Sequence, residues 1–148
     1  MSACLVGITC RHDGSDKRNP ELIKALRDSI VIPVCPEQLG GLSTPRPASV
    51  IQRGDGFSVL KGDSRLINSL GEDVTHNFIQ GARQTLAIAR ITKAMEAILK
   101  ERSPSCGLEQ ILRDGRVVRG PGVTAALLLE EGLQIHSDEQ LCTEWMTV

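Results

Sequence analysis

The fold class is predicted most directly by residues 30–36, which read Ile-Val-Ile-Pro-Val-Cys-Pro. The β-branched run Ile30–Val34 is typical of a buried parallel strand. An earlier apolar run at residues 2–6 predicts another strand, and a helix is expected between the two because Asn19 precedes Pro20, a residue suited to the first helical position. A strand, a helix and a strand within about 35 residues indicate a right-handed βαβ unit.

The remaining sequence predicts further alternation of helices and strands. In chain order, the predicted elements are a helix from Pro20 to about residue 28, the strand at 30–34, a hairpin of 57–60 and 65–67, a helix from Thr75 to about residue 90, a strand at 94–99, a hairpin turn at Asp114-Gly115, a helix at 123–131, a strand at 133–136 and a terminal helix capped by Ser137. Residues 35–56 are rich in Gly and Pro, and a loop of that length is usually functional. We therefore expect an α/β protein: a single three-layer domain over residues 1–148, with a mostly parallel, Rossmann-like sheet and an active site at the strand carboxyl ends.

Composition and charge limit the partners that this chain can have. Its 148 residues suffice for one domain with its own core. The 17 Lys and Arg residues nearly balance the 18 Asp and Glu residues without any basic run, so neither a nucleic acid nor a membrane is expected as a partner. Two Phe, one Trp and no Tyr give little support for base stacking. No apolar stretch approaches ~18 residues and no signal peptide is evident, so a cytoplasmic location is expected.

Three of the five cysteines share a position in the predicted fold. Cys4, Cys35 and Cys106 each stand where an apolar run gives way to a Gly- or Pro-rich loop. Because the carboxyl ends of neighbouring parallel strands meet at one edge of a sheet, their thiolates are expected to lie together. Three thiolates could hold a cubane iron–sulfur cluster and leave one iron free for a substrate. Counting alone leaves Cys10 as a fourth candidate, and a cysteine can instead be a small core residue, the role expected for Cys142.

Seven motifs occur in an order that is characteristic of one family. They are Ser-Ala-Cys-Leu, Cys-Arg-His-Asp-Gly, Val-Cys-Pro-Glu-Gln-Leu-Gly-Gly-Leu, Thr-Pro-Arg-Pro, Gly-Glu-Asp-Val-Thr, Leu-Lys-Glu-Arg-Ser-Pro-Ser-Cys-Gly and Gly-Val-Thr-Ala-Ala-Leu-Leu. In this order they resemble the thiouracil desulfidase family of iron–sulfur proteins, formerly described as a domain of unknown function, over residues 2–141. The resemblance implies a [4Fe–4S] cluster as cofactor, the iron–sulfur assembly machinery as a partner and a small thiolated pyrimidine as substrate.

The resemblance also implies a set of ligands. It favours Cys4, Cys35 and Cys106 as the cysteines that bind the metal cluster, because relatives sometimes carry Val in place of Cys10 and keep the other three. Cys10 is then expected to contact the substrate. The three His residues are dispersed along the sequence and are not expected to bind metal.

The expected reaction, a thioamide and water giving an amide and hydrogen sulfide, requires proton transfer. Glu37, two residues after Cys35, is the candidate carboxylate for activating water. Ser103 is expected to relay a proton or to donate a hydrogen bond to the pyrimidine ring. The candidate substrate-binding residues are Cys10, Arg11, Asp13 and Arg46. Each of these charged residues can equally be a solvated loop charge, and Arg11 and Asp13 can pair with each other.

Two other functions remain open at this point. The substrate could be a thiolated nucleoside or nucleotide, which additional cations around the site would favour. The chain could instead be a non-catalytic iron–sulfur or zinc-binding sensor or interaction module. The best support for that reading is Val50, which stands where the family usually carries a Glu.

Overall fold

The computed structural model describes the backbone of residues 1–145 and the side chains of residues 1–141. Its elements mix helices and strands along the whole described chain. In order they are a 3₁₀ helix at Ala3–Val6, α1 at Pro20–Ala25, α2 at Pro36–Leu39, β1 at Ser49–Ile51, α3 at Gly56–Leu60, β2 at Leu66–Asn68, α4 at Thr75–Thr92, β3 at Glu96–Leu99, β4 at Gln110–Arg113, β5 at Arg116–Arg119, α5 at Val123–Glu130, β6 at Gln134–Ser137 and α6 at Asp138–Trp145. None of the described helices is long and apolar enough to cross a membrane.

The described strands pair in three two-stranded sheets. Strand β3 pairs in parallel with β6, whereas β1 with β2 and β4 with β5 are antiparallel. The parallel arrangement continues through the amino terminus, because Ser2 N–H donates to the carbonyl of Ile98 and Ala3 N–H donates to that of Val34. The α/β class with a parallel sheet is confirmed, but parallel pairing accounts for only one of the three described two-stranded sheets, whereas a mostly parallel sheet was predicted.

The first two predicted strands are wrong as continuous strands. Residues 3–6 form the 3₁₀ helix, which ends at Gly7 with a φ of 97°, so only Ser2 pairs with Val34 as an isolated parallel bridge. In the second run, Pro33 has no N–H to donate, and Ile30 is 95% exposed. Each run therefore contributes a short extended segment beside β3.

The predicted hairpin at residues 57–67 is also wrong. Residues 56–60 form helix α3, because Asp55 caps it: its carboxylate accepts the N–H of Ser58, and the Ser58 hydroxyl accepts the N–H of Asp55. Strand β2 pairs instead with β1, which lies with α2 inside the segment predicted as one long loop.

Local start and stop signals are confirmed at several other places. Asn19 caps α1 by accepting the N–H of Leu22 at 3.1 Å, and Ser137 caps α6 by accepting the N–H of Gln140 at 3.1 Å. The turn at Asp114-Gly115 joins β4 to β5. Thr75, the expected cap of α4, is its first helical residue. The side chain of Cys142 lies outside the described residues.

The long helix α4 connects parts of the core and supports the loop before β1. Phe78 and Ala82 pack in one apolar cluster, and Leu86 packs in a second cluster with Cys106. Helix α2 approaches α4 backbone to backbone, since a Cβ on Gly81 would overlap the carbonyl of Pro36. This close approach fixes the position of α2, which follows Cys35 directly.

Candidate active site

One cavity brings together the predicted cysteines. It has a volume of about 430 Å³, and Cys4, Cys10, Cys35 and Cys106 all line it. Other predicted site residues in its wall are Arg11, Glu37, Arg46 and Ser103.

Each of the three proposed ligands follows a segment of the parallel arrangement. Cys4 lies in the 3₁₀ helix immediately after the amino-terminal segment, and Cys35 is the N-cap residue of α2. Cys106 lies in the loop that connects β3 to β4. The segments before these cysteines are adjacent through the hydrogen bonds to Val34 and Ile98 described above. Their adjacency explains why thiols distant in sequence share one cavity.

Burial favours the protonated form of three thiols in this cavity, those of Cys4, Cys10 and Cys106. Burial raises the pKa of Cys4 and of Cys10 to about 12, and the nearby Cys35 contributes to the shift at Cys10. Burial likewise raises the pKa of Cys106 to about 11. At neutral pH these groups become thiolates when a metal displaces their protons.

Cys10 and Cys35 are in direct contact. The Sγ atom of Cys35 donates to the carbonyl oxygen of Cys10 at 3.7 Å, and Arg46 Nη2 donates to the same oxygen at 2.9 Å. The carbonyl oxygen of Cys10 is therefore shared by the thiol of the proposed ligand Cys35 and by the buried guanidinium of Arg46.

The chemistry of the donor set fits an iron–sulfur cluster. Among residues 1–141, no group of three or more His, Cys, Asp or Glu side chains is placed to hold a metal ion. In a cubane cluster each thiolate binds a different iron, so the ligands surround a volume and do not converge on one point. Soft thiols around a cavity of about 430 Å³ match that requirement.

Glu37 is held on both carboxylate oxygens. Arg46 Nε donates to Oε2 at 2.6 Å, and the Ser105 hydroxyl donates to Oε1 at 3.3 Å. Arg46 also donates to the carbonyl of Ser43 and to the hydroxyl of Thr44. The predicted substrate-binding Arg46 is thus occupied by protein partners, and it orients the carboxylate of Glu37.

Ser103 holds the loop that carries Cys106. Its hydroxyl accepts the N–H of Ser105 at 3.2 Å and the N–H of Cys106 at 3.1 Å, and it lies 3.1 Å from the hydroxyl of Ser105. The sequence analysis missed Ser105, which connects Ser103 to Glu37. Its only signal in the sequence is its place immediately before Cys106.

The two remaining predicted residues lie in the loop after Cys10. Asp13 accepts hydrogen bonds from the N–H and the hydroxyl of Ser15, which lower its pKa to about 2. It is exposed and lies outside the cavity wall, so the structure does not bring it together with the other candidates. Arg11 lines the cavity and donates to the Ser15 hydroxyl at 3.4 Å.

Val50 also lies in the cavity wall, within β1 and opposite Ile67. Its side chain contributes apolar surface to the cavity wall. Three acidic residues of the described chain line the cavity, Glu37, Glu101 and Asp114, and Glu37 is the one paired with Arg46.

The described residues combine a mixed α/β fold with a cavity lined by four cysteine thiols, the features of a small enzyme whose soft donors suit a metal–sulfur cofactor. The model of the 2-thiouracil desulfurase family matches residues 1–140. The chain belongs to this 2-thiouracil desulfurase family.

Two individual proteins are similar to the chain over nearly its whole length. The uncharacterized protein YbbK of Bacillus subtilis (strain 168) is 42% identical over 144 residues, 95% of either chain. A solved structure, that of the [4Fe-4S]-dependent thiouracil desulfidase TudS, is 34% identical with a TM-score of 0.83, covering 99% of this chain and 93% of its own. The predicted family, the α/β class and the assignment to a desulfidase enzyme are confirmed by these similarities.

Proposed function

We propose that this protein is a [4Fe–4S]-dependent desulfidase that hydrolyses thiolated pyrimidines, converting thiouracil and water to uracil and hydrogen sulfide. The observation that carries the proposal is the convergence of Cys4, Cys35 and Cys106 on one cavity beside Glu37. Family membership and the likeness to TudS, which is [4Fe-4S]-dependent, support the same cofactor.

Cys4, Cys35 and Cys106 are the proposed ligands of the cluster. When bound, the cluster would supply a soft Lewis acid, its fourth iron, for the sulfur of the substrate. Thiouracil and water contain the same atoms and electrons as uracil and hydrogen sulfide, so the protein needs no reductant for turnover. The protein must instead position water and move protons.

Glu37 is the proposed general base. Arg46 Nε donates to its Oε2 atom at 2.6 Å, and its Oε1 atom accepts from the Ser105 hydroxyl at 3.3 Å, so both oxygens are held in place. A carboxylate placed beside the cavity can take a proton from a water molecule as the water attacks the thiocarbonyl carbon. Both side chains are largely shielded from solvent, with 14% of Glu37 and 5% of Arg46 exposed.

Ser105 and Ser103 are proposed to continue the proton path. The Ser105 hydroxyl has a single proton, so when it donates to Glu37 it accepts from the Ser103 hydroxyl at 3.1 Å. Ser103 lies in the cavity wall. After Glu37 has taken a proton from water, rotation of the two hydroxyls lets Glu37 donate that proton to Ser105 and Ser105 donate its own to Ser103, while Ser103 gives its proton to the departing sulfide. This assigns Ser103 the relay role expected from the sequence.

A thiolated nucleotide is the second candidate substrate. The same cavity is also lined by Arg11, His12, Lys17 and Lys100. Cations at its wall could bind a phosphate carried by the ribose of a thiolated nucleotide. The thiocarbonyl chemistry at Glu37 would be the same for either substrate.

The test is anaerobic reconstitution with iron and sulfide, followed by assay of sulfide release from 2-thiouracil. Wild type is compared with Cys106→Ser. We expect about four irons per chain, brown visible absorption and sulfide release in the wild type, with all three reduced in the variant. If the protein binds a cluster but releases sulfide neither from 2-thiouracil nor from thiouridine monophosphate, the sensor or interaction module would be favoured. Failure to bind iron, or binding of zinc in its place, would overturn the proposal.

A further inference from the structure

A buried carboxylate lies at the base of the loop that carries Cys106. Glu101 is only 5% exposed, although charged side chains are rarely buried without partners. It directly follows Lys100, just beyond the end of β3, and the loop of residues 102–109 runs from it to β4. The proposed reaction gives Glu101 no role.

The partners of Glu101 are backbone N–H groups on the far side of this loop. Its Oε1 atom accepts the N–H of Leu108 at 2.9 Å, of Glu109 at 3.1 Å and of Gln110 at 3.0 Å. A longer contact of 3.4 Å joins it to the N–H of Arg102. One carboxylate oxygen therefore connects the start of the loop to its end.

Glu101 is itself fixed by Asp138. Its N–H donates to Asp138 Oδ1 at 2.7 Å, and Asp138 Oδ2 lies 3.1 Å from Lys100 Nζ. The next residue, Arg102, has a φ of 64°, a left-handed conformation that disfavours side chains with a Cβ. The chain therefore turns sharply at this point, and the hydrogen bonds of Glu101 hold the turn.

The rest of the loop is held by other groups. Ser103 binds the N–H of Cys106, and the first N–H groups of α5 bind the carbonyls of Pro104 and Ser105. These contacts hold residues 103–107 but do not reach the N–H groups of residues 108–110. Without the carboxylate, those half-buried N–H groups would lose their charged acceptor.

We propose that Glu101 is a positioning residue, whose carboxylate closes the loop and thereby fixes the Cys106 thiol in the cavity. The inference rests on the proposed function to the extent that Cys106 acts there as a cluster ligand. The ordering of the loop itself is independent of any cluster and can be measured without one.

The first measurement is hydrogen exchange on the cluster-free protein, resolved at single amides by NMR. The variants are Glu101→Ala and Glu101→Gln. The matched controls are Glu109→Ala and Glu109→Gln, since Glu109 is an exposed carboxylate of the same loop that accepts from Gln140 Nε2 at 2.7 Å and not from the loop amides. We expect Glu101→Ala to lower protection of amides 108–110 about tenfold, with amides in α4 unchanged and Glu101→Gln intermediate. Equal protection in the Glu101 and Glu109 variants would overturn the proposal.

Should Glu101→Ala fail to fold by circular dichroism, Glu101→Gln decides the question. Gln retains an oxygen acceptor but lacks the charge, so a loss of about threefold at amides 108–110 is expected. Protection equal to that of Glu109→Gln would again overturn the proposal.

The second measurement concerns the reconstituted protein. With chelator present, the visible absorption of Glu101→Gln is expected to bleach about tenfold faster than that of Glu109→Gln, because positioning residues of this kind typically contribute that much to metal affinity. Equal bleaching, together with an unchanged electron paramagnetic resonance spectrum of the chemically reduced cluster, would overturn the positioning role alone. A wild type that binds no cluster, with loop protection still dependent on Glu101, would overturn the proposed function and leave the ordering of the loop standing.

Discussion

Arg46 and Glu37 form an ion pair at the wall of the cysteine cavity, with 2.6 Å between Arg46 Nε and Glu37 Oε2. The pair joins the Thr-Pro-Arg-Pro segment to the Cys-Pro-Glu segment. Because the Arg46 guanidinium also binds the carbonyl of Cys10, one side chain connects the proposed base with the cysteine loop. This pair gives rise to the first two predictions.

Replacing Glu37 by Gln should abolish most of the catalysis and leave the cofactor in place. Gln has nearly the same shape but cannot accept a proton from water, so we expect a decrease of about 100-fold or more in kcat for sulfide release. Iron content and visible absorption should match the wild type. Glu72→Gln, at an exposed position, is the control. A Glu37→Gln variant with near wild-type kcat would contradict the assignment of Glu37 as base.

Replacing Arg46 by Ala should destabilise the protein. The change leaves the largely buried Glu37 carboxylate and the Cys10 carbonyl without their cation, and breaking such a pair costs about 3 kcal/mol. Urea denaturation of the cluster-free protein measures the loss. Arg27→Ala is the matched control, because its ion pair with Asp28 is exposed and worth at most about 1 kcal/mol. Similar losses in the two variants would show that the Arg46 pair contributes little.

Substitution of single cysteines by Ser should separate ligands from neighbours. Cys4→Ser, Cys35→Ser and Cys106→Ser are each expected to lose most of the reconstituted iron, because a neutral hydroxyl replaces a soft thiolate. Cys10→Ser should retain it. Iron analysis after desalting provides the measurement, and iron loss in Cys10→Ser with retention in any of the other three would reassign the ligand set.

Substitution of a cationic residue in the cavity wall should show whether the substrate is a free thiolated pyrimidine or a thiolated nucleotide. If the substrate carries a phosphate, Lys17→Ala should lower kcat/KM for thiouridine monophosphate about tenfold, the effect of one charge-assisted contact. The value for thiouracil should be unchanged. Lys24→Ala, in α1 and outside the cavity wall, serves as control. Equal effects on both substrates would argue against a phosphate site at Lys17.

The cluster-free protein should lose stability in alkaline solution. Burial raises the pKa of Cys4 and Cys10 to about 12 from an ordinary value of 9.0, so the folded form disfavours the thiolate. Their contribution to stability is complete below pH 9 and declines as the pH rises toward the folded pKa values. Each thiol should lower the free energy of unfolding by up to about 1.4 kcal/mol per pH unit in this range. Urea midpoints at pH 8 and pH 10 measure this, and a weaker slope is expected in Cys10→Ser.

Capping and turn signals, which involve only a few neighbouring residues, predicted the local structure correctly. Asn19 before Pro20, Ser137 and the Asp114-Gly115 turn were identified from the sequence because capping and turn preferences depend on neighbouring residues alone. The hairpin predicted at residues 57–67 was wrong because the capping box of Asp55 and Ser58 starts a helix where the first strand was expected.

The sequence by itself determined the family, the α/β class and the placement of three cysteines after apolar segments, since each depends on residue type and order. Tertiary structure decided which groups meet. Glu37 reaches Ser105, 68 residues away, only because α2 packs on α4 and α5 holds the loop before Cys106. The same packing places Arg46 against Glu37 and Glu101 against the loop amides. Residue types alone cannot specify these partners, because the partners depend on distances that the folded core fixes.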